Sequence, residues 1–107
     1  PHPWFRRDGD NLRLDLPITL DEAVRGAKVK VPTAEGAVML TVAPGTSSGK
    51  TLRLKEKGMT RKDGTRGDQL ITIEVQLPDA GSEDAAELAR RLDGWQDTRN
   101  PRSRMGV

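Results

Sequence analysis

Over most of the first 78 positions apolar residues alternate with polar ones, the pattern of strands with one face buried. Leu12, Leu14 and Leu16 alternate with Arg13 and Asp15. Val29 and Val31 alternate with Lys28 and Lys30, Val38, Leu40 and Val42 with Met39 and Thr41, and Leu52 and Leu54 with Thr51, Arg53 and Lys55. Ile71, Ile73, Val75 and Leu77 give the cleanest run, closed by Pro78. The turns between them are written in Asp8-Gly9-Asp10-Asn11, in Pro32-Thr-Ala-Glu-Gly36 and in Ala43-Pro44-Gly45, where Pro presets φ and Gly accepts a left-handed conformation. Gly58 to Gly67, polar and basic with Asp63-Gly64 at its centre, reads as an exposed hairpin or loop.

The alternation breaks once, between Leu16 and Pro32. Thr19 followed three positions later by Glu22 forms a capping box, in which hydroxyl and carboxylate each satisfy an orphan amide. Asp21 and Glu22 favour the positive end of the helix dipole, and Gly26 supplies the positive φ that stops the helix after about two turns. A helix this short is unstable alone and must dock on a sheet. Five strands of period two and one short capped helix predict a mainly β chain, a small β-sandwich.

From position 80 the period changes. Ser82 can cap a helix, with Glu83 and Asp84 in its first turn, and Ala85, Leu88, Leu92 and Trp95 fall on one helical stripe. The expected organisation is a sandwich domain over 1–79 and a C-terminal α-helix and tail over 80–107, with Asn100-Pro101 and the last residues irregular. The stripe can dock on the sandwich or pair with its copy in a second chain. The hinge-like composition of Pro78 to Ser82 favours pairing.

Composition narrows the chemistry. The 107 residues are 34% hydrophobic and only 3% aromatic, so the core is thin and aliphatic. No cysteine is present, which excludes disulfides and thiolate metal sites. No apolar run is long enough for a membrane helix, and no signal-peptide pattern opens the chain. It begins Pro-His-Pro without an initiator Met, which suggests an excised piece of a longer protein. The net charge is +2, but Lys50 to Arg66 is rich in Lys and Arg while Asp79 to Asp97 is mostly acidic.

Candidate chemistry is sparse. Gly45-Thr-Ser-Ser-Gly-Lys-Thr51 approaches a phosphate-binding loop, but that motif needs four residues between its glycines and a helix after the Lys. Here Pro44 stands at the required Gly and a strand follows. Asp8-Gly9-Asp10-Asn11 resembles the start of a calcium loop, yet Thr19 stands where the closing carboxylate belongs. His2 is the single histidine, and no acid/base pair stands out, so no enzyme activity, metal or cofactor is expected. The Lys50–Arg66 face could bind nucleic acid, but it carries no interleaved aromatic for base stacking, and a solvated sheet face accounts for it more simply.

Taken in order, the landmarks resemble a known family. His2-Pro3-Trp4-Phe5-Arg6-Arg7-Asp8-Gly9-Asp10-Asn11-Leu12 is similar to the opening of the second C-terminal β-sandwich of DnaJ-type co-chaperones. Pro17-Ile18-Thr19-Leu20, Glu22-Ala23, Gly26-Ala27, Val31-Pro32-Thr33, Gly36, Pro44-Gly45-Thr46, Gly49-Lys50, Leu52-Arg53-Leu54, Lys57-Gly58-Met59 and Gly67-Asp68 follow the same pattern. The likeness covers 1–78, and order and spacing together make it specific. Two places depart from it. The family's Gly-Lys-Gly-Met-Pro is Glu56-Lys57-Gly58-Met59-Thr60 here, and its Gly-Asp-Leu is Gly67-Asp68-Gln69, followed by Leu70. The resemblance implies a cytoplasmic, stress-response co-chaperone that presents unfolded client polypeptides to a DnaK-type heat-shock ATPase, without catalysis of its own. It implies that this part is a structural, weakly peptide-binding and dimerising module, with no membrane partner and no specific nucleic acid. His2-Pro3-Trp4 is not the His-Pro-Asp signature of the J-domain, and the zinc-binding Cys repeats of some relatives are absent from this chain. The alternative is a nucleic-acid-binding module using Lys50–Arg66.

Overall fold

The computed structural model describes residues 5–33, 36–55 and 57–106. In chain order its elements are β1 (Phe5–Asp8), β2 (Asn11–Thr19), α1 (Leu20–Arg25), β3 (Ala27–Thr33), β4 (Gly36–Val42), β5 (Thr51–Leu54), β6 (Gln69–Gln76) and α2 (Glu83–Arg91), with a 3-10 turn at Ser103–Met105. The chain divides into two compact units, Pro1–Leu77 and Pro78–Val107.

The first unit is mainly β and holds two sheets, one of four strands in the order β1-β2-β6-β5 and one of two, β3-β4. Neighbours pair antiparallel except β2 and β6, which run parallel with Leu12 opposite Gln69 and Ile18 opposite Val75. A parallel pair needs a long crossover, and here everything from α1 to the 58–67 hairpin lies between the two strands. The sheets meet through Leu14, Leu16, Ile18, Ala23, Val31, Val42, Ile71 and Ile73, with Phe5, Val29, Val38, Leu40, Leu52, Leu54 and Val75 packed around them. This aliphatic core is what the alternation of the sequence encodes.

Three expectations are corrected. There are six strands among the described residues, not five, because Phe5–Asp8 pairs with Asn11–Leu14 across the Gly9-Asp10 turn. Leu77 does not continue β6. It is 67% exposed, since β2 pairs as far as Thr19–Gln76 and then turns into α1, leaving no ladder partner beyond. Pro32, Thr33 and Gly36, expected in the turn, belong to the strands, with Thr33 opposite Gly36; residues 34 and 35 lie outside the described residues.

At α1 the Thr19 hydroxyl accepts the Glu22 amide at 3.2 Å while the Glu22 carboxylate accepts the Thr19 amide at 2.9 Å. Gly26 closes the helix at φ 80° and donates its N–H to the Glu22 carbonyl. No other residue fits there. A Cβ on Gly26 would lie 2.9 Å from Pro44 and from the Val42 carbonyl oxygen, so the same glycine ends the helix and lets the loop after β4 pass.

In the second unit Ser82 caps α2, its hydroxyl accepting the Ala85 amide at 3.0 Å. Glu87 pairs with Arg90 and Arg91 along the helix surface. The helix is shorter than the stripe Ala85, Leu88, Leu92, Trp95 requires. It ends at Arg91 with Leu92 as its cap, and Gly94 then takes φ 83°. Trp95 therefore lies beyond the helix, 64% exposed, and the helical stripe reduces to Ala85, Leu88 and the cap residue Leu92. The separation of period from geometry has a plain cause: a left-handed glycine interrupts the spacing that the apolar positions alone suggest.

Candidate functional site

Three segments far apart in sequence converge at one corner of the first unit. The turn between β1 and β2 brings Asp10 and Asn11 against Gly58-Met59 and Gly67-Asp68. Met59 donates its amide to the Asp10 carbonyl at 2.8 Å, and Asp68 donates to Asn11 Oδ1 at 2.8 Å. Leu12 donates to the Asp68 carbonyl at 2.9 Å, while Gly58 and Gly67 close the base of the hairpin between them. Both glycines are buried, and a Cβ on Gly58 would stand 2.7 Å from the Asp10 carbonyl oxygen. The tip of the 58–67 hairpin is exposed, but its base is a packed joint. Thr60 bridges to Arg66 within it; Glu56 lies outside the described residues.

The glycine loop after β4 is a second joint. Gly45 and Thr46 donate their amides to the Ala23 carbonyl, Gly49 donates to the Ile73 carbonyl, and Lys50 to Ser47. The Ser48 hydroxyl accepts the Val75 amide at 3.0 Å. Amides committed to protein carbonyls cannot cradle a phosphate, and β5 rather than a helix follows. The loop fastens α1 and β6 together.

The acidic turn is likewise occupied. Asp8 pairs with Arg13 at 2.9 Å and Asp10 with Arg61 at 3.0 Å. Among the described residues no group of three or more carboxylates or imidazoles could hold a metal ion. His2 lies outside them.

An open groove of about 410 Å³ is lined by Leu14, Asp15, Leu16, Pro17, Lys30, Pro32 and Ala37. Successive side chains of a strand point to opposite faces. Four consecutive β2 residues can therefore line one groove only if it runs along the edge of that strand. That edge is partly open: β1 pairs with Asn11 to Leu14, and among the described residues no strand lies beside Asp15 to Thr19 on that side. Leu12 donates its N–H towards β6, so by alternation Leu14, Leu16 and Ile18 do the same, and Asp15 and Pro17 turn their backbone outward. Pro17 has no N–H to offer, which suits an edge position. The opposite wall is the outer face of the β3–β4 sheet, where Pro32 faces Ala37 and Lys30 faces Met39 across the strands. Asp15 is engaged by Arg6 at 3.0 Å, so the groove is apolar along its length, and Lys30 is its charge without an ion pair among the described residues. The pattern of apolar positions does not mark this groove. Its one sequence signal is Pro17, a residue without an N–H inside a strand that only an edge tolerates.

The basic stretch is less free than its composition suggests. Arg53 pairs with Asp68 at 3.4 Å, Arg61 holds Asp10 and Thr65, and Arg66 donates to the Gly58 carbonyl. Asp63 sits at the hairpin tip, its carboxyl held below the usual aspartate range by hydrogen bonds from the Thr65 side chain and backbone. In the second unit Leu92, Trp95 and Met105 are exposed and no residue of α2 is buried. No helix among the described residues is long and apolar enough to cross a membrane.

Comparison with known proteins agrees on one family. The DnaJ C terminal domain matches residues 1–78. Chaperone protein DnaJ 1 of Streptomyces avermitilis is 48% identical over 102 residues, covering 92% of this chain and 26% of its own length. Chaperone protein DnaJ 2 of Synechocystis is 39% identical over 104 residues, covering 97% and 34%. The Curved DNA-binding protein of Pseudomonas putida is 41% identical over 92 residues, covering 86% and 29%. The chain thus spans about a quarter to a third of the curated relatives it matches.

Proposed function

Since this chain belongs to the DnaJ C-terminal domain family, we propose that it is the client-holding and assembly part of a DnaJ-type co-chaperone, working with a DnaK-type heat-shock ATPase in the cytoplasm. Its DnaJ relatives are chaperone proteins, and the family whose model matches carries no enzyme name. The observation that carries the reading is the groove along the open edge of β2. An extended segment of an unfolded client can add beside Asp15 through main-chain hydrogen bonds and lay apolar side chains against Leu14, Leu16, Pro32 and Ala37. Unfolded polypeptide offers both features at once, free backbone groups and exposed apolar side chains. The partner ATPase is engaged mainly through parts outside this chain.

Assembly is assigned to the second unit. Ala85, Leu88 and Leu92 present an apolar strip on and next to α2, and Trp95 adds an exposed ring beyond the helix. Pairing two copies about a two-fold axis would bury this surface self-complementarily.

A nucleic-acid role is favoured by the name of the Pseudomonas relative, and Lys50, Lys55 and Lys62 remain on that face. Against it, the arginines there are engaged within the fold. One experiment separates the readings. Binding of fluorescein-labelled, reduced and carboxymethylated α-lactalbumin is measured beside binding of duplex DNA and single-stranded RNA, at near-physiological salt. The client reading expects binding to the unfolded protein that Ala37→Arg abolishes by filling the groove. Tight nucleic-acid binding without binding to the unfolded protein would overturn it.

A further inference from the structure

Gln69 opens β6 and is completely buried, 0% exposed. Its Nε2 donates to the Pro32 carbonyl at 2.9 Å, a hydrogen bond that crosses from the four-stranded sheet to β3. Its Oε1 is also buried and accepts from no described residue. A leucine would fill much the same space without stranding an acceptor, so packing alone does not call for a glutamine here.

The position of this bond says what it does. Pro32 forms one wall of the groove. Gln69 pairs with Leu12 on β2, two residues before Leu14, where the other wall begins. One carboxamide therefore links both walls, through the β2–β6 ladder on one side and through Pro32 on the other. Apolar contact between sheets is non-directional and tolerates sliding, whereas a hydrogen bond fixes distance and direction.

We propose that Gln69 is a positioning residue of the groove, seating β3 against the four-stranded sheet and so setting the groove's width. This rests on the reading of the groove as a client site. Gln69 touches no client itself; it acts through Pro32.

The test uses the full chain with Gln69→Leu, Gln69→Met and the groove-filling Ala37→Arg. Three quantities are read: the urea midpoint, the affinity for labelled carboxymethylated α-lactalbumin, and amide hydrogen exchange across β3 and β4. Removing the carboxamide loses the bond to Pro32 but relieves the stranded Oε1, so the midpoint should stay near that of the wild type. Affinity should fall by about five- to tenfold, the loss of ordering worth roughly one hydrogen bond, and exchange at Thr33 and its neighbours should quicken. A merely structural glutamine would shift the midpoint and leave the affinity of the folded protein unchanged. Unchanged affinity in folded Gln69→Leu, with Ala37→Arg abolishing binding, overturns this proposal alone. Should Ala37→Arg bind like the wild type, the groove reading falls and this one with it. If Gln69→Leu and Gln69→Met both unfold the chain, Gln69 is a stability residue and the proposal is wrong.

Discussion

Gly67→Ala tests whether the corner joint holds the first unit together. Neither Gly67 nor Gly58 has a positive φ, so backbone conformation does not require glycine at either position. Space does. A Cβ on Gly67 would overlap the Asp10 carbonyl group and stand 3.0 Å from Asn11 Oδ1, and both atoms belong to a turn that cannot retreat freely. It is held by Met59 donating to the Asp10 carbonyl and by Asp68 donating to Asn11, each at 2.8 Å. Forcing a methyl into a packed site costs ~1–3 kcal/mol. If the turn yields, two hydrogen bonds are lost as well, each worth ~0.5–1.5 kcal/mol net. The sum, about 2–6 kcal/mol, is a large part of the ~5–15 kcal/mol that holds a typical domain, and it should lower Tm by roughly 10 °C or more. Gly64→Ala is the control: at the hairpin tip nothing lies within 4 Å of its Cβ, but φ is +88°, so it should lose only the ~1–2 kcal/mol of a left-handed L-residue. Asn11→Ala combined with Gly67→Ala should cost less than the two separately, because both act on one contact. Urea denaturation followed by far-ultraviolet circular dichroism measures the wild type and the four variants, Asn11→Ala alone included. A Gly67→Ala variant no less stable than Gly64→Ala would refute the account of the corner.

Thr19→Ala should destabilise the chain by ~0.5–2 kcal/mol through loss of the cap on α1, and Glu22→Ala by less, because the Thr19 amide it leaves can reach water; two melts equal to wild type would show the cap is idle. Leu88→Ala with Leu92→Ala should leave a folded monomer if the proposed pairing holds, since burial of a Leu at a packed site is worth about 2–5 kcal/mol; sedimentation across a concentration series decides, and a wild type that is monomeric throughout refutes pairing. In the second unit, Arg99 hydrogen-bonds to Asp97 from side chain and backbone and holds its pKa down to about 2, and hydrogen bonding from Arg90 with the charge of Arg91 lowers that of Glu87. A depressed carboxylate contributes its stability above its unfolded pKa and loses it as pH falls through the folded value. The stabilisation around Arg99 should therefore be full above about pH 3.8 and decline as pH falls from there to about 2, and carboxyl carbon shifts in a pH titration would check this; an Asp97 that titrates like a free aspartate would contradict it.

Much of this architecture is legible because a single physical signal dominates it. Leu14, Leu16, Ile71 and Ile73 alternate and are buried on the same side of one sheet, and the capping box at Thr19 and Glu22 is local chemistry that needs no tertiary information. What is not legible depends on partners distant in sequence. Nothing in Leu12–Thr19 or Gln69–Gln76 announces that they run parallel, because a ladder partner leaves no mark on periodicity. Gln69 reads as an ordinary polar residue at a strand start, and only the approach of Pro32 makes its burial tolerable. Gly58 and Gly67 read as loop glycines, although their smallness is demanded by a turn some fifty residues earlier. The stripe ending at Trp95 errs in the opposite sense: the period continues past the point where Gly94 stops the helix.

An open strand edge is a liability, since its unpaired groups can template aggregation, yet the proposed client site depends on one. The chain limits that edge to a short exposure. Asn11 to Leu14 are covered by β1, the Thr19 amide is taken by Glu22, and Pro17 withholds a donor midway. Between these stops only Asp15 offers a full pair of outward backbone groups, too little to seed a growing sheet. The same restriction makes a single groove weak. One or two apolar side chains buried there gain ~1.5–3 kcal/mol each, against the ~4–15 kcal/mol that association costs. Joining two grooves in one assembly converts the second contact into an intramolecular one and can raise avidity by ~10²–10⁴ without strengthening either site. On the proposed reading, a guarded edge and a self-pairing segment suit each other physically. The first would keep each site too weak to trap a client or to aggregate, and the second would make two weak sites sufficient to hold an unfolded chain.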